Sequence, residues 1–136
     1  MRIIGIDPGL QATGWGVIAS DGAQLKSVSH GIIRTNTRMS DPERLILIFE
    51  GLQNVIAKHQ PETAIVEDIF VKDNPRSALR LGLARGVAIL ACGQARLTLS
   101  EISARKVKQA VTGTGAADKK QVAKMVSRLL GIPPPP

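Results

Sequence analysis

The chain has 136 residues, with 18 Lys and Arg against 11 Asp and Glu, which gives a formal net charge of +7. This length suits a single domain. So positive a charge is typical of proteins that bind a polyanion, most often nucleic acid, with a merely solubilising surface as the alternative. Cys92 is the only cysteine, which excludes a disulfide framework and zinc-ligand spacing. Asp7 interrupts the first apolar run too early for a signal peptide, and no apolar run is long enough to span a membrane, so we expect a cytoplasmic protein.

The first 34 residues predict a three-stranded antiparallel meander. Apolar and β-branched residues run through 2–7, 13–20 and 24–34, each at a length typical of a strand. The second and third runs are joined at Asp21–Gly22, and an Asp-Gly pair between two β-rich runs is a strong hairpin signal.

A helix is predicted from the N-cap Ser40 to the residue before Pro61. Ser40 and Glu43 have capping-box spacing, and Pro42 falls in the first turn, where proline is tolerated. Apolar residues then recur at helical spacing on one face: Leu45, Ile48, Phe49, Leu52, Val55 and Ile56. The short apolar run 63–67 predicts a strand, and a strand reached through such a crossover helix is usually parallel to the strand it joins.

The second half of the chain continues this alternation of helix and strand. Residues 76–92 predict a helix rich in small side chains, 97–102 a fifth strand, and 103–111 and 118–130 two further helices. The order βββαβαβαα predicts an α/β fold: a five-stranded mixed sheet, three antiparallel strands followed by crossover strands, with helices on both faces.

Two acidic residues end predicted strands, Asp7 the first and Glu67 the fourth. If those strands are parallel neighbours, both carboxylates emerge at the edge of the sheet where sites form. Adjacent carboxylates repel each other and favour a hard divalent cation, with Mg²⁺ or Mn²⁺ the first choice. The glycines around Asp7 would allow a substrate to approach closely. The alternative is that Asp7 caps the Pro8–Gly9 turn and that Glu67 is an ordinary surface residue.

Four segments together resemble the RuvC-type Holliday junction resolvases, in the expected order and over essentially the whole chain. They are GIDPG…TGWG, IVED-IF, SALRLGLARGVAI and RKVKQAVTGTGAADKKQV. The resemblance implies a ribonuclease-H-like fold and a homodimer that nicks two strands of a four-way DNA junction symmetrically, in recombination and repair. It also implies a divalent metal cofactor, Mg²⁺ or Mn²⁺, with one or two ions per subunit.

Site residues carry over from the resemblance one by one. Asp7 and Glu67 match the catalytic carboxylates that bind metal, and Phe70 matches the aromatic residue that inserts at the junction centre. Lys108 and Lys119 match basic residues placed beside the scissile phosphate. Without the resemblance, Phe70 could be a core residue, and each lysine could lie on a solvated surface.

The predicted second helix contributes DNA-binding and dimer candidates. Arg76 and Arg80 share a face and could hold phosphates. Gly82 and Gly86 have a spacing that allows two backbones to come close, in the region through which the family dimerises. Branch-migration proteins are further partners that the resemblance implies.

Relatives in this family continue past the proline-containing segment with a helix that carries two more acidic residues, and no residue here matches those positions. We therefore expect residues 1–136 to form a single nuclease domain truncated at its C-terminus. One alternative function follows: a junction-binding dimer impaired in cleavage. Another is a nucleotide-binding phosphotransfer domain, whose loop also places an acid and glycines after the first strand, but the charge of +7 disfavours it.

Overall fold

The computed structural model describes residues 1–21, 24–68 and 74–103 of the chain. The elements in these ranges are β1 (Arg2–Asp7), β2 (Ala12–Asp21), β3 (Gln24–Arg34), α1 (Asp41–His59), β4 (Thr63–Asp68), α2 (Pro75–Gln94) and β5 (Thr98–Ser103). Ser103, predicted to begin a helix, is instead the last residue of β5, because it continues the pairing of that strand with β4. The rest of the helix predicted at 103–111, and that at 118–130, lie outside the described residues.

The five strands form one mixed sheet in the order β3-β2-β1-β4-β5. The pairs β1–β2 and β2–β3 are antiparallel, and β1–β4 and β4–β5 are parallel. This arrangement confirms the predicted meander and crossover strands. It follows from the connections, since a tight hairpin reverses the chain whereas a crossover helix returns it in the same direction.

The first helix begins and ends where local chemistry predicts. Ser40 is the N-cap: its Oγ accepts a hydrogen bond from the Glu43 N–H at 3.3 Å, and its hydroxyl donates to Glu43 Oε1 at 3.0 Å. Such contacts satisfy amide groups that the first turn leaves without a partner. The helix ends at His59 because Gln60 takes a left-handed conformation, with φ of 49°.

Both described helices pack on one face of the sheet and build the core with it. The buried residues of this cluster are Ile4, Ile6, Val17, Ile48, Leu52, Ile56, Ala64, Val66, Ala84, Ala88, Ala91 and Cys92. Cys92 is thus a small core residue, as predicted. Since successive side chains of a strand alternate between faces, Asp7, which follows Ile6, projects from the face opposite α1 and α2. No helix in the described ranges is long and apolar enough to cross a bilayer.

Candidate active site

The sheet register brings the ends of β1 and β4 side by side. Ile6 pairs with Val66 in the parallel ladder, and Asp7 and Glu67 are the next residues on the two strands. Their side chains therefore leave the same face, on strands that lie about 4.8 Å apart. Asp7 is exposed and Glu67 is half-buried. The predicted convergence of the two strand ends is what the structure shows, and the chemical role of the two carboxylates stays a prediction.

Asp7 does not cap the turn that follows it, because Thr13 does. The Thr13 hydroxyl accepts a hydrogen bond from the Gly9 N–H at 3.2 Å and donates one to the Gly9 carbonyl at 2.7 Å. Within the described ranges, no hydrogen bond or ion pair joins Asp7 to another side chain. Asp7 is exposed, and we expect its carboxylate to be accessible to a ligand.

The segment after Asp7, residues 8–11, is here called the Asp7 loop. Each of its last three carbonyls accepts a hydrogen bond: that of Gly9 from Thr13, and those of Leu10 and Gln11 from Thr35. The Thr35 hydroxyl donates to Leu10, and the Thr35 N–H donates to Gln11 at 2.9 Å. Glycine is required at position 9 because a Cβ there would overlap the Ala12 carbonyl oxygen.

Three residues that support this loop were missed by sequence reasoning: Thr13, Thr35 and Arg44. Thr13 is fully buried, and Arg44 is only 5% exposed, with its Nε donating to Thr35 Oγ1 at 2.9 Å. One signal was available, since Arg44 lies four residues before Ile48 and so places a cation on the apolar stripe of α1. Nothing local in the sequence links Thr35 to the Asp7 loop.

No side chain projects from the position next to Asp7 on β2, because that residue is Gly14. Gly14 is half-exposed, and beyond it on the same face lies Ile32 of β3, which is 50% exposed. Among the described residues, Gly14 adds no side chain beside Asp7.

The donor set fits a divalent cation of the Mg²⁺ type. Such ions are usually held by one or two carboxylates, with substrate phosphates and water completing the shell. Asp7 and Glu67 supply two carboxylates on one face. The described part of the chain contains no cluster of three or more His, Cys, Asp or Glu side chains that could hold a metal.

The arginines predicted to hold phosphates lie on the exposed side of α2, near its start. Arg80 forms a two-pronged ion pair with Asp41 of α1, at 3.0 and 3.4 Å. This contact, chiefly the hydrogen bond, lowers the pKa of the Asp41 carboxyl. Arg76 lies one turn earlier and is exposed. Phe70 lies outside the described residues, as do Lys108 and Lys119, so their predicted roles are untested.

A five-stranded mixed sheet of this order, with acidic residues ending β1 and the adjacent parallel β4, defines a domain of the ribonuclease-H-like class. The sequence profile of the family described as "Crossover junction endodeoxyribonuclease RuvC" matches residues 3–136. The chain therefore belongs to the RuvC family.

Individual relatives agree with this assignment over most of their length. A crossover junction endodeoxyribonuclease RuvC of Trichlorobacter lovleyi is 49% identical over 133 residues, covering 98% of this chain and 75% of the relative. That of Caulobacter vibrioides is 46% identical over 129 residues, covering 95% and 76%. Among solved structures, "T. thermophilus RuvC in complex with Holliday junction substrate" superposes with a TM-score of 0.76 at 31% identity, covering all of this chain and 83% of that one.

Proposed function

We propose that this chain is a structure-selective endodeoxyribonuclease that resolves four-way DNA junctions by symmetric phosphodiester hydrolysis, in recombination and repair. The observation that carries the proposal is the matched position of Asp7 and Glu67 on one face of two parallel strand ends. Support comes from a family match over nearly the whole chain and from a formal charge of +7, which suits a polyanionic substrate.

We infer that Asp7 and Glu67 hold Mg²⁺, with Mn²⁺ able to replace it, as one or two ions per subunit. When bound, such an ion would polarise the phosphate and favour ionisation of a water molecule. The chain's own contribution is to hold two carboxylates at neighbouring positions on rigid strands. Because Gly14, the neighbour of Asp7 on β2, has no side chain, it would not obstruct a DNA strand that approaches Asp7.

Family membership assigns roles to Lys108, Lys119 and Phe70, whereas those of Arg76 and Arg80 are proposed from their shared face of α2. Lys108 and Lys119 would each place a compact positive charge against a phosphate oxygen near the cut. Phe70 would insert at the junction centre, where a ring offsets part of the cost of unstacking bases. Arg76 is exposed and could contact a phosphate. Arg80 could use N–H groups that point away from Asp41, since the guanidinium carries five donors.

We also propose a homodimer formed through α2. Leu79 is 75% exposed and Leu90 is 59% exposed, with Leu83 and Gly86 exposed between them on the same helix. Exposed apolar side chains in a row mark an association surface, and a two-fold axis there would present two sites to one junction.

Sedimentation of Leu83→Glu tests the dimer, with Ile46→Glu, on exposed apolar surface of α1, as the matched control. We expect a monomer for the first and a dimer for the second. A wild-type protein that is monomeric at micromolar concentration would contradict the proposal. Branch-migration proteins as partners and a cytoplasmic location are further proposals from family membership.

Nicking of a fluorescently labelled four-way junction tests the function directly. We expect symmetric nicks that require Mg²⁺ or Mn²⁺ and stop on addition of a chelator. Asp7→Asn and Glu67→Gln should each slow nicking by about 100-fold or more, since each removes a charge on which the metal depends. Glu50→Gln, on the exposed side of α1, is the control and should nick at the wild-type rate.

The outcomes separate the competing hypotheses. Junction binding without nicking at any Mg²⁺ concentration would identify the impaired junction-binding dimer. Tight binding of ATP in calorimetry, with no preference for junction DNA, would identify the phosphotransfer domain. Equal nicking by wild type and Asp7→Asn would contradict the assignment of the site.

A further inference from the structure

We propose that Arg44 and Thr35 form a relay that positions the Asp7 loop, and through it the Asp7 carboxylate, for metal binding. Neither residue touches the metal site, so both are positioning residues. The proposal rests on the proposed function for its catalytic consequences, although its structural part can be tested without DNA.

The first step is the burial of Arg44. Its side chain is 5% exposed and occupies the apolar stripe of α1, where a hydrophobic residue would cost less to bury. A buried guanidinium must be hydrogen-bonded to be tolerated, and its Nε donates to Thr35 Oγ1 at 2.9 Å. A buried arginine at this position is explained if Arg44 serves to orient the Thr35 hydroxyl.

The second step is the direction that Arg44 imposes on that hydroxyl. An oxygen that accepts from Nε–H turns its own hydrogen elsewhere, and Thr35 donates to the Leu10 carbonyl. The Thr35 N–H also binds the Gln11 carbonyl, at 2.9 Å. One residue just beyond β3 thus holds two consecutive peptide groups of the Asp7 loop.

The third step is that Arg44 is held in a rigid part of α1. The backbone N–H of Arg44 donates a hydrogen bond to the Ser40 carbonyl at 2.9 Å, in the capped first turn of the helix. Asp41 in the same turn is bound to Arg80 of α2. The relay therefore runs from two packed helices to the loop that begins directly after Asp7. Sites of this kind tolerate errors of only about 0.5 Å in the position of a ligand.

The test compares Thr35→Val, which removes the hydroxyl at constant shape, with Thr35→Ser, which keeps it. Thr63→Val is the matched control, since Thr63 lies at the start of β4, away from Glu67, and among the described residues its hydroxyl contacts Met1 Sδ alone, at 3.9 Å. Hydrogen exchange of the amides of residues 9–13 is measured first, without metal or DNA. We expect exchange about 10-fold faster in Thr35→Val, which corresponds to the loss of the one hydrogen bond from the hydroxyl to the Asp7 loop. We expect wild-type exchange in the other two variants.

Metal binding and junction nicking then test whether the conformation of the Asp7 loop determines the position of the Asp7 carboxylate. In Thr35→Val, calorimetry with Mn²⁺ should show several-fold weaker binding, and nicking should fall about 10- to 100-fold. Affinity for the junction in Ca²⁺ should change by less than twofold. Thr35→Ser should restore both metal binding and nicking, a pattern that a general loss of stability would not produce.

Arg44→Met gives an independent check, because it keeps the packing and removes the Nε donor. We expect a smaller effect than for Thr35→Val, and we expect the double variant to match Thr35→Val alone, since both act on the same hydrogen bond. All rates are compared at temperatures well below each variant's unfolding midpoint.

Unchanged exchange of the Asp7 loop in Thr35→Val would overturn the relay, as would a Thr35→Ser variant as defective as Thr35→Val. Additive losses in the double variant would also overturn it. If the wild-type chain nicks no junction, the proposed function fails instead, while hydrogen exchange and Mn²⁺ calorimetry still decide the relay.

Discussion

Substituting Gly9 by alanine should disrupt the Asp7 loop. The new Cβ would overlap the Ala12 carbonyl oxygen and lie 3.4 Å from the Ala12 carbonyl carbon. These are backbone atoms, which cannot rotate away as a flexible side chain could. The loop must move, and the two hydrogen bonds between Gly9 and Thr13 are lost or weakened.

The magnitude follows from these contacts. Overpacking costs about 1–3 kcal/mol, and each hydrogen bond contributes about 1 kcal/mol. The loop relieves the steric clash by breaking the hydrogen bonds, so the two costs are not fully additive. We therefore expect the free energy of unfolding to fall by about 2–3 kcal/mol. For a chain of this size, 1 kcal/mol moves the unfolding midpoint by roughly 4 °C, so the midpoint should fall by about 8–12 °C.

Thermal unfolding followed by circular dichroism measures this shift, with Gly93→Ala as the matched control. Gly93 lies in α2, where an added methyl group would meet nothing within 4 Å, so alanine there should leave stability unchanged or raise it slightly through helix propensity. Nicking by Gly9→Ala at 20 °C should fall by more than about 10-fold, because Asp7 lies two residues away. A midpoint within 2 °C of wild type would refute the argument.

Three further predictions concern the core and the titrating groups. Leu52→Ala should lower the free energy of unfolding by about 2–5 kcal/mol in urea titrations, because the fully buried side chain leaves a cavity; a loss below 1 kcal/mol would contradict this packing. The Cys92 thiol should resist iodoacetamide at pH 8 in the native protein and react once unfolded, because burial raises its pKa to about 11; rapid native labelling, measured by intact mass, would contradict it. Desolvation, then the charges of Lys58 and Arg2, lowers the pKa of His59 below 6.5. The contribution of His59 to stability should therefore be complete above pH 6.5 and decline as the pH falls below it. The slope of stability against pH in this range should be reduced in His59→Gln, and an unchanged slope would contradict the prediction.

The elements of this fold were predictable because their signals lie within a few residues of one another. The hairpin strands, the cap at Ser40 and the stop before Pro61 each depend on local conformational preferences and nearby hydrogen bonds. The bounds of β1 agree with the sequence prediction for this reason, and α1 ends one residue before the predicted position. The sequence also predicts a site at Asp7 and Glu67, because both acids end strands expected to be parallel neighbours, and the chemical role of the two residues stays a prediction.

Other features depend on contacts between distant parts of the chain. The sequence suggests that Arg80 is free to bind a phosphate, yet the packing of α2 beside α1 places it against Asp41. The same packing buries Arg44 on α1 and directs it to Thr35, which no local pattern associates with the Asp7 loop.

The sequence by itself therefore determined the order of elements, the basic charge and the two acidic strand ends. Only the tertiary structure decided that Asp7 and Glu67 occupy matching positions on one face, since strand register arises from packing between segments far apart in the chain. Local preferences choose a helix or a strand, whereas the partner of each side chain is chosen by the assembled sheet.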